Sequence, residues 1–139
     1  MVFYAPFFRK KGETMEFFIK GEFKGLNDYT SANRKNKYAG AAIKKRETDY
    51  IATILTFKPK VESYPIKIIF TWHIHNRAKD LDNVSFAKKY ILDGMVKAKT
   101  IQNDNLTKII AFEDKCIIVK EKTLQGVHIR IIEDYEGEL

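Results

Sequence analysis

Between Pro65 and Asn76 the chain alternates: Ile66, Ile68, Phe70, Trp72 and Ile74 on one side, Lys67, Ile69, Thr71, His73 and His75 on the other. A period of two over this length is the mark of a half-buried strand. Two segments have helical spacing. One spans about 30–57, with Ala39, Ile43, Tyr50, Ile54 and Phe57 recurring on one face. The other spans about 83–98, with Val84, Ala87, Ile91, Met95 and Ala98 inward. Odd-numbered Phe17, Ile19 and Phe23 predict a strand near 15–23, and Gly25-Leu26-Asn27-Asp28 is a turn able to cap a helix. After a polar loop over 99–108, strands are expected at 109–122, bent or bulged, and at 126–133, joined by a hairpin turn at Thr123-Leu124-Gln125-Gly126. The order β-α-β-α-β-β defines one α+β domain, a mixed sheet packed against two helices, over 15–133. Residues 1–14 are set apart as a leader or alternative start, and 134–139 as an acidic tail.

The net charge is +7, and its placement says more than its size. Glu133, Asp134, Glu136 and Glu138 crowd the carboxyl end, so residues 1–132 carry 25 basic against 14 acidic side chains. Such a surplus is an electrostatic footprint for a polyanion, although charge alone is equally the mark of a soluble basic protein. Arg34, Lys35, Lys37, Lys44, Lys45 and Arg46 follow one another with no acid between them. They are candidate phosphate contacts, with a solvated helix face as the plain alternative. A further basic group, Arg77, Lys79 and Lys88, flanks the acidic turn described next. The single cysteine, Cys116, sits in an apolar run, is expected as a small core residue, and fits a reducing cytoplasm. No apolar stretch reaches the roughly 18–20 residues that cross a membrane.

Asp80 and Asp82 stand where the strand gives way to the helix. In extended chain, side chains two apart point the same way, whereas on a helix they diverge. The pair can therefore share a cation such as Mg²⁺ if the chain is still extended there. The plain alternative is that Asp82 is a helix N-cap. A third acid, Asp104, lies in the polar loop beyond the helix, and Lys89 is seven residues after Asp82. The central expectation is that all three carboxylates converge on the metal.

The run Lys79-Asp80-Leu81-Asp82-Asn83, the helix with Leu92-Asp93-Gly94-Met95, and Asn103-Asp104 resemble the RusA family of Holliday-junction resolvases. Gly25-Leu26-Asn27-Asp28-Tyr29 and the basic helix after it extend the likeness to roughly residues 15–133. The resemblance implies a homodimeric endonuclease that cuts four-way junctions with Mg²⁺ or Mn²⁺, in recombination, repair or phage DNA processing. It implies Asp80, Asp82 and Asp104 as metal-holding catalytic residues and products with 5′-phosphate and 3′-hydroxyl ends. Phe86 stands where the family's prototype has a lysine, and Lys89, on the same expected helix face, takes that role. Asn103 replaces an acid next to the late aspartate.

In that chemistry the cation generates the nucleophile and stabilises the leaving oxygen, while Lys89 neutralises charge on the transition state. Two rival readings are a non-catalytic basic DNA-binding module and a degenerate relative that binds junctions without cutting. Lesser signals are a His73-x-His75 chelate, a restriction-type site built from Glu113, Lys115 and Asp104, and Phe7, Phe8 or Phe86 as wedges between bases. Core packing is the default for Phe86.

Overall fold

The computed structural model describes residues 14–137. Its elements run β1 (Thr14–Lys20), α1 (Leu26–Lys35), α2 (Ala39–Leu55), β2 (Ile66–Ile74), α3 (Leu81–Ser85), α4 (Lys88–Lys97), β3 (Ile109–Ile118) and β4 (Gly126–Ile132). This is an α+β arrangement around a mixed four-stranded sheet of order β1-β4-β2-β3. β4 is antiparallel to both neighbours, and β3 is parallel to β2. The alternation in β2 holds: Ile66, Ile68, Phe70, Trp72 and Ile74 are all buried. They meet Phe17 and Ile19 of β1, Val127, Ile129 and Ile131 of β4, and Ile51, Leu55, Tyr90, Ile91 and Met95 of the helices. Each large apolar side chain removed from water in this way contributes about 1.5–3 kcal/mol before entropy is counted.

Both expected helices are broken in two. The first breaks at Asn36, which is extended (φ −159°, ψ 131°). Its side-chain oxygen accepts the Tyr38 amide at 2.8 Å. This local bond competes with the helical ladder, the usual reason that asparagine interrupts helices. The inward stripe of α2 is correspondingly different from expectation. Gly40, Ile51, Ala52 and Leu55 are buried, whereas Tyr50 and Phe57 are exposed, Phe57 at 94%. Tyr50 instead donates its hydroxyl to the Lys20 carbonyl at 2.6 Å. The second helix tightens at Phe86–Ala87, where Ala87 donates to Val84 and Lys89 to Phe86, each three residues back. Val84, Ala87, Ile91 and Met95 are nevertheless buried as the spacing predicts.

The expected hairpin between the last two strands does not form. β3 lies on the far side of β2 from β4, so residues 119–125 cross the end of β2. Buried Gln125 pins the crossing: it accepts the His75 amide at 3.2 Å and donates to Glu22 at 3.1 Å. Gly126 then enters the slot between β1 and β2, where a Cβ would stand 2.5 Å from the Phe18 ring.

One further expectation changes. Cys116 is exposed, because the outer half of β3 has no covering element among the described residues. Glu133, the last residue of the expected domain, is buried at 1% and accepts the Glu62 amide at 2.6 Å. Residues 1–13, most of the expected leader, lie outside the described residues. Among those described, no helix is long and apolar enough to cross a membrane.

Candidate active site

β2 delivers the chain to a tight turn in which Asn76 accepts the Ala78 amide at 2.9 Å. Asp80 follows as the N-cap of α3, in extended geometry (φ −87°, ψ 147°), with no capping bond from its side chain. Its carboxylate is exposed and has no partner among the described residues. Asp82 lies in the first turn of α3, also exposed, with Oδ1 accepting the Asn83 amide at 2.9 Å. The chain is thus extended at Asp80 but helical from Leu81 onward, not extended through both aspartates. Asp80, rather than Asp82, is the N-cap.

The turn around Gly25 docks directly on this junction. The Asn27 amide donates to Asn83 Oδ1 at 2.8 Å, across 56 residues of sequence. A Cβ at position 25 would lie 2.8 Å from both the backbone and side-chain oxygens of Asn83, so the close approach requires glycine. Asp28 accepts the Gly25 amide at 3.1 Å, which completes the start of α1 as the turn residues suggest. Beside it, Lys79 pairs with Glu22 at 3.2 Å. Hydrogen bonds from Gln125 and then Lys79 hold the Glu22 carboxyl below the ordinary glutamate range. Lys79 therefore orders the turn as much as it offers charge.

Asp104 lies elsewhere, at a cleft of about 310 Å³ lined by Ser85, Phe86, Lys88, Lys89, Leu92, Asp93 and Asp104. Among the described residues, no three His, Cys, Asp or Glu side chains come close enough to hold one metal ion. The three aspartates accordingly do not converge within one chain. Asp80 and Asp82 have no cationic partner among the described residues. They fit the smaller demand of Mg²⁺, which takes one or two carboxylates and fills its shell with water and substrate phosphate.

The two neighbouring lysines have different surroundings. Lys89 is exposed on the rim of the Asp104 cleft. Lys88 turns to β3, where it pairs with Asp114 at 2.7 Å and lies 4.6 Å from the centre of the Phe112 ring. Trp72 Nε1 donates to the same aspartate at 2.9 Å. Lys88 is thus a structural tie between α4 and the sheet, not the free phosphate contact expected. Arg34 and Lys35 end α1, Lys37 lies 5.0 Å from the Tyr38 ring centre, and Arg46 is exposed on α2. The acid-free run of the sequence is partly neutralised in space: Lys44 pairs with Asp93 at 3.4 Å, and Lys45 with Asp49. Arg77 is exposed beside the acidic turn.

The rival constellations are not assembled. Glu113 faces away from the helices and pairs with Lys67 at 3.3 Å and Lys115 at 3.1 Å. His73 packs edge-on against Phe18, and a His75 ring nitrogen lies 3.1 Å from the Val119 carbonyl oxygen. Burial, and then the nearby His128, push the His73 pKa down. Phe86 packs between Tyr29 and Tyr90, as the core default has it. Phe7 and Phe8 lie outside the described residues. Sequence reasoning did not single out Glu22, Ser85 or Gln125, and it did not see that Asn83 holds the Gly25 turn. Glu22, Gln125 and Asn83 act through partners remote in sequence, and Ser85 lines the Asp104 cleft, none of which local spacing reveals.

The chain matches no protein-family model, and no curated protein matches it in sequence.

Proposed function

We propose that this protein is a metal-dependent endonuclease that cleaves four-way DNA junctions and related branched DNA, acting as a homodimer with Mg²⁺ or Mn²⁺. The observation that carries the reading is the contact between its two signature turns. Gly25–Asp28 buttresses Asp80–Asn83 through the Asn27–Asn83 bond, so that two exposed carboxylates, with no cationic partner among the described residues, project from one braced strand-to-helix junction. An ordinary solvated turn needs no such bracing.

Asp80 and Asp82 would hold the cation, which supplies Lewis acidity and a nucleophile at neutral pH when bound. Arg77 offers positive charge beside it, where bare carboxylates would otherwise repel a phosphodiester. Arg34, Lys35, Lys37 and Arg46 make backbone contacts that position the DNA without reading its sequence. Lys89 and Asp104 would act from the cleft they share with Ser85, Lys89 by opposing charge on the transferring phosphate.

The separation of Asp104 from the other two aspartates favours a second reading, a protein that binds junctions without cutting them. A synthetic four-way junction and a linear duplex of the same sequence, each with and without Mg²⁺, separate the two. Metal-dependent nicking of the junction supports the enzyme, and metal-indifferent binding supports the binder.

A further inference from the structure

Only one face of the sheet is covered by helices. Phe17 and Ile19 of β1, Val127, Ile129 and Ile131 of β4, and Phe70 and Trp72 of β2 point into the core on that side. Strand alternation therefore turns Phe18 and Lys20, His128 and Arg130, and Thr71 and His73 to the opposite face. Among the described residues no helix contributes to this second face. Phe18 is 44% exposed there, and His73 and His128 are half-buried.

The three rings are gathered by the register of the strands. Phe18 lies directly across from His128 in the β1–β4 pair, and His73 directly across from Gly126 in the β2–β4 pair. Gly126 has no side chain to fill the space between β1 and β2, and the Phe18 ring lies where a Cβ would otherwise stand. The ring thereby reaches His73 and meets it edge-on, 5.2 Å between centroids. Burial and the nearby His128 hold the His73 pKa below the ordinary histidine value, so this ring is neutral at physiological pH.

The charges around the rings favour an anion. Glu113 holds both Lys67 and Lys115, and Glu16 stands 3.6 Å from His128 although Arg130 is directly across from it. Lys20 and Arg130 are exposed and pair with no acid among the described residues.

We propose that this open face is a platform for single-stranded DNA: Phe18, His73 and His128 stack on unpaired bases, while Lys20 and Arg130 hold the phosphates that run past them.

Stacking requires splayed bases, since a duplex presents only base edges in its grooves. A four-stranded sheet with rings on its open face suits two or three such bases. Every base has a π-face, so the platform carries no strong sequence preference. A protein partner calls for a contiguous apolar patch, whereas these rings alternate with cations and the Thr71 hydroxyl. The choice of DNA over RNA rests on the nuclease reading. Lys20, Gly126 and His73 share the end of the sheet from which β2 runs on to Asp80 and Asp82. A strand parted at a branch point reaches the platform from that end.

The test is binding of the full chain to a labelled oligothymidylate of about fifteen nucleotides, a length within the range that single-strand grooves occupy. Chelator is present throughout, so that cleavage is silent. Phe18→Ala is expected to weaken this binding about 5- to 100-fold and binding of a duplex of equal length by less than about twofold. Arg130→Gln is expected to flatten the salt slope by about 0.7. Phe18→Trp keeps a stacking ring and should bind as wild type, with its fluorescence quenched by the oligonucleotide. Wild-type fluorescence should stay unchanged, because Trp72 is 1% exposed beneath the other face. Absence of quenching would overturn the proposal, as would Phe18→Ala binding within twofold of wild type or losing single strand and duplex equally. Tenfold tighter binding of oligouridylate would assign the face to RNA and overturn it as well. A protein that cuts junctions yet ignores oligothymidylate sinks the platform alone, and one that binds it without cutting anything sinks only the nuclease reading.

Discussion

The Asn27 backbone amide donates to the side-chain oxygen of Asn83 at 2.8 Å, joining the start of α1 to the first turn of α3. This bond holds the strand-to-helix junction that carries Asp80 and Asp82. Asn83→Ala removes the acceptor and should cost about 1 kcal/mol, the usual net worth of such a bond. Gly25→Ala places a methyl group 2.8 Å from two Asn83 oxygens and should cost more, about 1–3 kcal/mol. Urea unfolding midpoints check both. A Gly25→Ala protein as stable as wild type would show that the turn does not sit against Asn83.

Lys88 and Lys89 are adjacent but should fail differently. Lys88→Ala strands Asp114, which is only 21% exposed, and should cost roughly 1–3 kcal/mol of stability. Lys89→Ala removes no such pair among the described residues and should change stability by less than about 0.5 kcal/mol. Its effect should fall on the cleavage rate, by about 10- to 100-fold. Denaturation and single-turnover rates measured on both variants separate the roles, and equal losses of stability would contradict this division.

The Tyr90 hydroxyl is buried with no hydrogen-bond partner among the described residues, and burial pushes its pKa up to about 12. Tyr90→Phe removes a desolvated polar group while keeping the ring that packs on Phe86. The variant should be as stable as wild type or more stable by up to about 1 kcal/mol. A clear loss of melting temperature would reveal a partner for the hydroxyl.

Glu22 has a depressed pKa in the folded protein, so its contribution is present at neutral pH and fades as pH falls below about 4.5 toward the folded value. Glu22→Gln should therefore be less stable than wild type at neutral pH, and the difference should shrink on acidification. Urea midpoints across this range test the sign. A gap that widens at low pH would place the stabilising group elsewhere.

Much of this was legible in the sequence, for physical reasons that differ from element to element. β2 was clear because burial on one face imposes a strict period of two, and Val84, Ala87, Ile91 and Met95 were clear because the helix must cover that face. The break at Asn36 was not, since a single side-chain bond to Tyr38 decided it. The order of β3 and β4 was also hidden. Local turn signals at 123–126 suit a hairpin, and only pairing across the whole sheet sends the chain over β2 instead. For the site, the exposed aspartates at the end of β2 followed from chain order. Their geometry did not, because Asp80 capped the helix and left Asp82 inside its first turn, where extended pairing could not hold. The position of Asp104 depended on how a polar loop folds back, and spacing carries no information on that.

Binding of a junction should weaken steeply with salt, since each neutralised phosphate releases counterions. Replacing Arg34, Lys35, Lys37 and Arg46 by glutamine should flatten the slope by up to about one unit for each phosphate no longer neutralised. Titrations between roughly 50 and 200 mM salt would measure it, and an unchanged slope would remove this corner from the binding surface.

The most direct test is cleavage of a four-way junction by wild type and by Asp82→Asn, each with Mg²⁺ and with chelator, with junction binding recorded in parallel. The account predicts nicking by wild type with Mg²⁺ alone, and an Asp82→Asn protein that binds the junction at least as tightly yet leaves it uncut. Full cleavage by Asp82→Asn, or cleavage by wild type in chelator, would contradict it.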